Sequence, residues 1–189
     1  SSIGVPVLAN IHAGGQDARA AGVGEVTQRP AFRCRPTDLL LAAGATGAVI
    51  NVKKGQFLAP WDVTGILSKT GMKNVLITER GTCFGYNNLV VDFTGLIYMI
   101  NQYQKTHGVP IVFDATHSVQ KPGGLGLSSG GNREYVPYLL RAAASVGVEN
   151  FFMEVHEDPD NSPSDGPNIL HLKDFEHVLK SVKRIQRAI

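Results

Sequence analysis

The chain has 189 residues, 43% hydrophobic and 18% charged, with a formal net charge of +2. That composition suits a globular protein long enough to bury a core, and it is too mildly basic to suggest a nucleic-acid partner. No apolar run reaches the length of a membrane span, no basic leader opens the chain, and Cys34 and Cys83 lack metal-pair spacing. The expectation is a cytoplasmic protein with reduced thiols.

Short apolar runs alternate with amphipathic stretches, as in successive βα units. In chain order the pattern predicts a strand over residues 6–11, a helix over 16–21, a strand over 24–28 and a helix over 37–43. Next come a strand over 48–52, a helix over 61–70, a strand over 74–78 and a helix over 93–107. The last four elements are a strand over 109–115, a helix over 132–146, a strand over 150–155 and a helix over 172–188. Gly44, Gly71, Gly108 and Gly147 each follow a helical run, where a left-handed C-cap is wanted. Residues 123–132, GGLGLSSGGN, read as a mobile loop. Lys180, Lys183, Arg184 and Arg187 read as the solvated face of the last helix.

Six βα units make either a doubly wound sheet or part of a (β/α)8 TIM barrel. The strand ends offer His12, Gln28, Lys53 with Lys54, Arg80, His117, and Glu154 with His156. A barrel gathers such residues onto one mouth, whereas an open sheet spreads them along an edge, so the pattern favours the barrel.

Two clusters carry chemistry. Lys53, Lys54 and Arg80, with the neutral Gln28, Gln56 and Asn87, suit phosphate and carboxylate groups. The competing role for the cations is pairing with Asp62, Glu79 or Asp92. His117, Glu154 and Asp165 offer an imidazole and two carboxylates, able to ligate a divalent metal or to act as acid and base. Against that, His117 can be satisfied by backbone groups, and Asp165 lies in the turn-forming Ser-Asp-Gly-Pro. Asp158, Asp160 and Asp165 resemble a loose calcium loop without EF-hand order. Gly130, Gly131 and Asn132 lead into a helix start that can hold a phosphate, or simply carry an Asn cap.

Taken together, VINVKKGQFLAP, TERGTCFGYNNLVVDF, VFDATHSVQ, SSGGNRE and FMEVHEDPDNSPSDGPN closely resemble the 3-deoxy-D-manno-octulosonate 8-phosphate synthase family of (β/α)8 enzymes. The resemblance implies condensation of phosphoenolpyruvate with D-arabinose 5-phosphate and water, in the synthesis of lipopolysaccharide sugar. It implies that Gln28, Lys53, Arg80 and His117 hold phosphoenolpyruvate with support from Gln56. Phe32 and Arg35 would reach the sugar phosphate of a neighbouring subunit in a homotetramer. His117, Glu154 and Asp165 would place the water and manage protons, or ligate a divalent metal in metal-dependent members. Those members add a cysteine from the first barrel strand. SDGPN resembles the metal-independent branch, so no required cofactor is expected.

The resemblance also reads residues 1–189 as one barrel domain holding the last six βα units and lacking the first two. The family's Thr-Asp-Val-His-Glu appears here as ANIHA, with Asn10 for a sugar-contacting aspartate, His12 kept, and Ala13 for the glutamate. Weakened sugar binding is the expectation. Two rivals stand beside this reading. One is 3-deoxy-D-arabino-heptulosonate 7-phosphate synthase, whose Leu-Leu-Lys-Arg-Gly, Arg-Thr-Phe-Glu and Asp-Pro-Ser-His are absent here. The other is an inactive barrel that serves as a binding subunit.

Overall fold

A computed structural model describes residues 6–11, 16, 19–20, 22, 24–126 and 129–189. His12, Ala13 and half of the helix predicted over 16–21 (Asp17, Ala18 and Ala21) lie outside the described residues. The chain is mixed α/β, and its contacts cluster into two compact units, residues 1–78 with 98–111 and residues 79–97 with 112–189. No described helix is long and apolar enough to cross a membrane.

The first unit is built on four parallel strands in sequential order: β1 (Leu8–Asn10), β2 (Val26–Arg29), β3 (Val49–Lys53) and β4 (Val75–Glu79, to Thr78). Their register aligns Asn10 with Gln28 and Gln28 with Asn51. Buried Ile50, Val52 and Ile77 explain why these runs read as apolar. Between the strands lie α1 (Thr37–Ala45) and α2 (Val63–Thr70), the second entered through a 3-10 turn at Pro60–Asp62.

Gly71 ends α2 as expected, at φ 82° with its N–H donating to the Leu67 carbonyl. Gly44 departs from expectation. It lies inside α1, and the left-handed residue is Gly47, at φ 71°. A Cβ at Gly44 would stand 3.1 Å from the Thr70 carbonyl oxygen, so this glycine serves close approach of α1 to α2. The helix predicted over 93–107 forms as α3 (Phe93–Met99) continued by a π-helical stretch at Ile100–Lys105. Within the first unit, the Tyr103 hydroxyl of that stretch meets the Thr64 hydroxyl at 2.9 Å and donates toward the Pro60 and Trp61 carbonyls. Burial pushes this phenol up from its ordinary value.

In the second unit β5 (Thr82–Gly85) and β6 (Asn88–Val90) form an antiparallel hairpin that the sequence pattern does not announce. Asn87, grouped above with binding residues, is instead a turn residue at φ 53°, and its amide donates to the Pro122 carbonyl. β7 (Ile111–Asp114) pairs in parallel with β10 (Asn150–Phe152). The strand predicted over 109–115 stops early. Asp114 caps a one-turn helix, α4 (Ala115–Ser118), by accepting from the His117 N–H at 3.0 Å.

Near the end of the loop predicted over 123–132 a short strand forms, β9 (Gly130–Gly131), paired with β8 (Gln120–Lys121) before the loop. A 3-10 turn at Arg133–Tyr135 then leads into α5 (Val136–Ser145), with Gly147 left-handed behind it. The strand predicted over 150–155 breaks after Phe152 and resumes as β11 (Val155–His156), parallel to β12 (Leu170–His171). The final helix, α6 (Leu172–Gln186), buries Val178 and Val182. Lys180, Lys183, Arg184 and Arg187 are exposed, as read from sequence.

Candidate active site

In the second unit the polar groups build outward from β7. Asp114 is fully buried, and its two carboxylate oxygens accept from the His117 N–H and from the His117 ring Nδ1, the latter at 2.8 Å. The short cap and the ring bond together fix the imidazole on α4. With Nδ1 held by Asp114, Nε2 turns toward Glu154 Oε1 at 3.6 Å and Asp165 Oδ2 at 3.9 Å. Glu154 is placed by its own N–H, which donates to Thr116 Oγ1 at 2.8 Å. The predicted trio is therefore brought together, with its ligand atoms within 4.8 Å of one another.

Arg80 lies beside this trio in the same unit. The Glu79 carboxylate accepts from the backbone N–H groups of Arg80 and Gly81, at 3.0 and 2.7 Å, and so shapes the turn after β4. The Arg80 side chain is hydrogen-bonded to Gln120. Its Nη2 donates to Gln120 Oε1 at 2.7 Å, and Gln120 Nε2 donates to Asp165 Oδ1 at 2.7 Å. Nη1 is buried and has no hydrogen-bond partner among the described residues. Burial pushes the Arg80 guanidinium down from its ordinary value, and the charges of Asp114, Glu79 and Asp165 oppose that. A buried cation with a spare donor favours an anion strongly. Unit charges 4 Å apart attract by about 4 kcal/mol at protein-like dielectric, against about 1 in water.

The loop that presents Asp165 is pinned from both sides. Asp165 itself is left-handed, at φ 53°, a conformation that Asp tolerates better than most residues. A Cβ at the next residue, Gly166, would come within 2.6 Å of the Pro159 carbonyl oxygen. Arg133 donates to the Gly166 carbonyl at 2.7 Å and to Asp160 at 2.6 Å, and its Nη1 lies 3.0 Å from His171 Nε2. Gly131 has no room for a side chain, because a Cβ there would overlap Asn168 Oδ1. Gly130, Gly131 and the following turn thus dock the Asp165 loop. Asn132 does not cap the helix; its amide donates to Glu134 at 2.9 Å. The calcium-loop resemblance dissolves as well, since Asp158 accepts from Asn161, Asp160 from Arg133 and Asp165 from Gln120. His156 accepts from the Asp158 N–H and takes no part in the trio.

The first unit holds the other predicted residues. Gln28 and Asn51 are buried within a ladder of neutral side chains across β1 to β4. Gln28 Nε2 donates to Asn10 Oδ1 at 2.6 Å, Asn51 Nδ2 to Gln28 Oε1 at 2.9 Å, and Thr78 Oγ1 to Asn51 Oδ1 at 2.6 Å. Lys53 ends β3 and is buried. Lys54 donates to the Gly55 and Leu58 carbonyls at 3.3 and 2.9 Å, so it organises a turn. Gln56 is buried with its Oε1 lacking a hydrogen-bond partner among the described residues. Phe32 is 75% exposed, on a 3-10 turn at Ala31–Arg33, and Arg35 is exposed beyond it.

Sequence reasoning missed Gln120, Asp114, Asn51 and Thr78. Asp114, Asn51 and Thr78 are polar residues within or ending apolar runs, and that was their only signal; Gln120, after His117, Ser118 and Val119, had none.

Residues 1–189 match the model of the DAHP synthetase I family. The chain is 58% identical over 184 residues to a protein of Rhodopseudomonas palustris named 2-dehydro-3-deoxyphosphooctonate aldolase, covering 96% of this chain and 63% of that relative. Proteins of the same name from Cyanothece sp. and Synechococcus sp. are 57% identical over 190 residues and 54% identical over 192. Those alignments cover 99% and 100% of this chain, and 68% and 66% of the relatives. The chain thus spans roughly two thirds of the length of these relatives.

Proposed function

The chain belongs to the DAHP synthetase I family, and we propose that it serves a 3-deoxy-D-manno-octulosonate 8-phosphate synthase. In that reaction phosphoenolpyruvate, D-arabinose 5-phosphate and water give the eight-carbon sugar acid phosphate and inorganic phosphate. The relatives' name describes the same product class, a 2-keto, 3-deoxy, eight-carbon acid phosphate. We assign the fold to a (β/α)8 barrel, with this chain supplying the last six βα units of a cytoplasmic homotetramer. In such barrels catalytic residues come from the C-terminal ends of several strands. Each unit carries polar residues there: Gln28, Lys53 and Gln56 in the first, Arg80, His117, Glu154 and Asp165 in the second.

The observation that carries the reading is the Arg80 guanidinium, bonded at Nη2 and open at a buried Nη1, beside a histidine oriented by a carboxylate. Nη1 takes a phosphate oxygen of phosphoenolpyruvate; Lys53, Gln28 and Gln56 are given to that substrate by the family resemblance alone. C3 of the enol attacks the aldehyde carbon of the sugar, forming the new C–C bond. The aldehyde oxygen takes up a proton and becomes a hydroxyl. Water adds at C2, losing one proton to the His117–Glu154–Asp165 group; the C2–O bond to phosphate then breaks as the new C2 hydroxyl passes its proton to the departing phosphate and becomes the keto group. Arg80 stabilises the charge that collects on the departing phosphate. Phe32 and Arg35 contact the sugar phosphate of a neighbouring subunit, and His12 and Asn10 contact the sugar.

The donor set at His117, Glu154 and Asp165, one imidazole nitrogen and two carboxylate oxygens, fits a divalent cation. Bound there, such an ion would supply Lewis acidity to the attacking water. We propose that turnover does not require it, because an imidazole oriented by Asp114 accepts the water's proton unaided. Dialysis of the full-length protein against EDTA should leave its rate within about twofold; loss that Mn²⁺ restores would overturn this.

The acceptor sugar is the direct test of the reading. Phosphate release should be faster with D-arabinose 5-phosphate than with erythrose 4-phosphate, and the reverse order would transfer the assignment to the seven-carbon synthase. Binding of phosphoenolpyruvate without any turnover would support a non-catalytic binding subunit.

A further inference from the structure

We infer that Gln120 is a positioning residue that couples Arg80 to Asp165, an inference that rests on the synthase reading above. A guanidinium only donates and a carboxylate only accepts, so a neutral side chain joining them must accept at one end and donate at the other. A carboxamide does this in a single orientation. Gln120 has that orientation, with Oε1 on Arg80 Nη2 and Nε2 on Asp165 Oδ1, each at 2.7 Å.

The consequence is separation of two opposite charges that would otherwise pair. A direct Arg80–Asp165 ion pair would occupy the donor that an anion needs. It would also pull Asp165 away from His117 Nε2, which lies 3.9 Å from its Oδ2. With Gln120 between them, Nη1 stays available and Asp165 keeps its second oxygen toward the imidazole. Movement at either end is felt at the other, so phosphate at Arg80 orients Asp165.

The main chain of Gln120 supports the same role. Gln120 pairs with Gly131 in the β8–β9 ladder, and Gly131 packs against Asn168, three residues beyond Asp165. The backbone and the side chain of Gln120 therefore tie to one loop. A glutamate at this position would keep the bond to Arg80 but set two carboxylates against each other. An asparagine would be about 1.5 Å too short.

The test is a double-mutant cycle in the full-length protein. Arg80→Lys, Asp165→Asn and their combination are compared with Gln120 intact and in a Gln120→Leu background, with phosphoenolpyruvate affinity measured by calorimetry and turnover measured alongside. With Gln120 present, the double variant should depart from the product of the single effects by about tenfold; with Gln120→Leu the effects should multiply. Gln120→Leu alone should raise the Michaelis constant for phosphoenolpyruvate and lower kcat together. A purely structural role would reduce the folded fraction, and so kcat, with the Michaelis constant untouched. Multiplying effects in both backgrounds, or an unchanged Michaelis constant, overturns the inference. The binding cycle decides this whichever acceptor sugar the enzyme uses, so failure of the coupling and failure of the synthase reading are told apart.

Discussion

Each unit holds a polar cluster, and the two clusters treat burial differently. In the first unit, Asn10, Gln28, Asn51 and Thr78 form a neutral ladder in which three donors each meet an acceptor of the right kind, so burying it costs little. In the second, Arg80, Glu79, Asp114, His117 and Asp165 form a charged network, and one buried guanidinium nitrogen in it is left without a hydrogen bond. A fully paired ladder stabilises a sheet, while an incomplete charged network holds binding energy in reserve for a ligand. The difference marks Arg80 as the group most in need of an anion, whereas Gln28 and Asn10 can meet substrate from within a ladder that is already bonded.

Variants can break that contrast from either side. The largest effect is expected at Arg80. Arg80→Met in the full-length protein should lower kcat/KM for phosphoenolpyruvate on the order of 10³-fold, and a loss under tenfold would mean that the open donor has no ligand. Asp114→Asn leaves the shape of the cap but weakens its hold on the His117 ring, and a loss of about 10- to 100-fold in kcat is expected. Steady-state kinetics at saturating substrate checks this, and unchanged kcat would remove His117 from the chemistry.

Gly131→Ala forces a methyl group onto Asn168 and should cost about 1–3 kcal/mol of stability, read as a lower midpoint in urea. An unchanged midpoint would show that the Asp165 loop is not docked there. Asn51→Leu cuts the ladder at its centre and strands groups of Gln28 and Thr78, at about 1–3 kcal/mol for each buried polar group left unpaired. That variant should lose stability while any bound anion still sees Arg80 unchanged. Asn10→Asp sharpens the comparison instead: Gln28 keeps its acceptor, now charged, and the Michaelis constant for the sugar should fall severalfold. The smallest effect concerns the thiols. Burial pushes the Cys34 thiol up from its ordinary value, so less thiolate is present at neutral pH, whereas Cys83 is exposed. Mass spectrometry after brief alkylation at pH 7 should find the label on Cys83 and not on Cys34.

Much of this molecule was legible in its sequence because apolar runs of four or five residues separated by helical spacing leave few alternatives. The six principal strands appear where that pattern puts them, shifted by one to three residues at most ends. The hairpin at Thr82–Val90 was not legible, since Phe84 and Tyr86 are exposed and give it no alternation. Two-residue pairs such as Gln120–Lys121 with Gly130–Gly131 are too short to show any period. Gly44 was misread because a glycine that ends a helix and one that lets two helices approach look the same in one dimension.

The trio of His117, Glu154 and Asp165 was legible by residue type at strand ends. Gln120 was not, because its value lies in matching a donor on one side with an acceptor on the other, and only three dimensions reveal both. The packing role of Gly131 was hidden for a similar reason. Its missing side chain makes room for Asn168.

The most direct measurement is a crystal structure of the full-length protein with phosphoenolpyruvate bound. The account predicts a phosphate oxygen about 3 Å from Arg80 Nη1, with Gln120 still bridging Arg80 and Asp165. Phosphoenolpyruvate bound elsewhere, with Nη1 still unpaired, would contradict it.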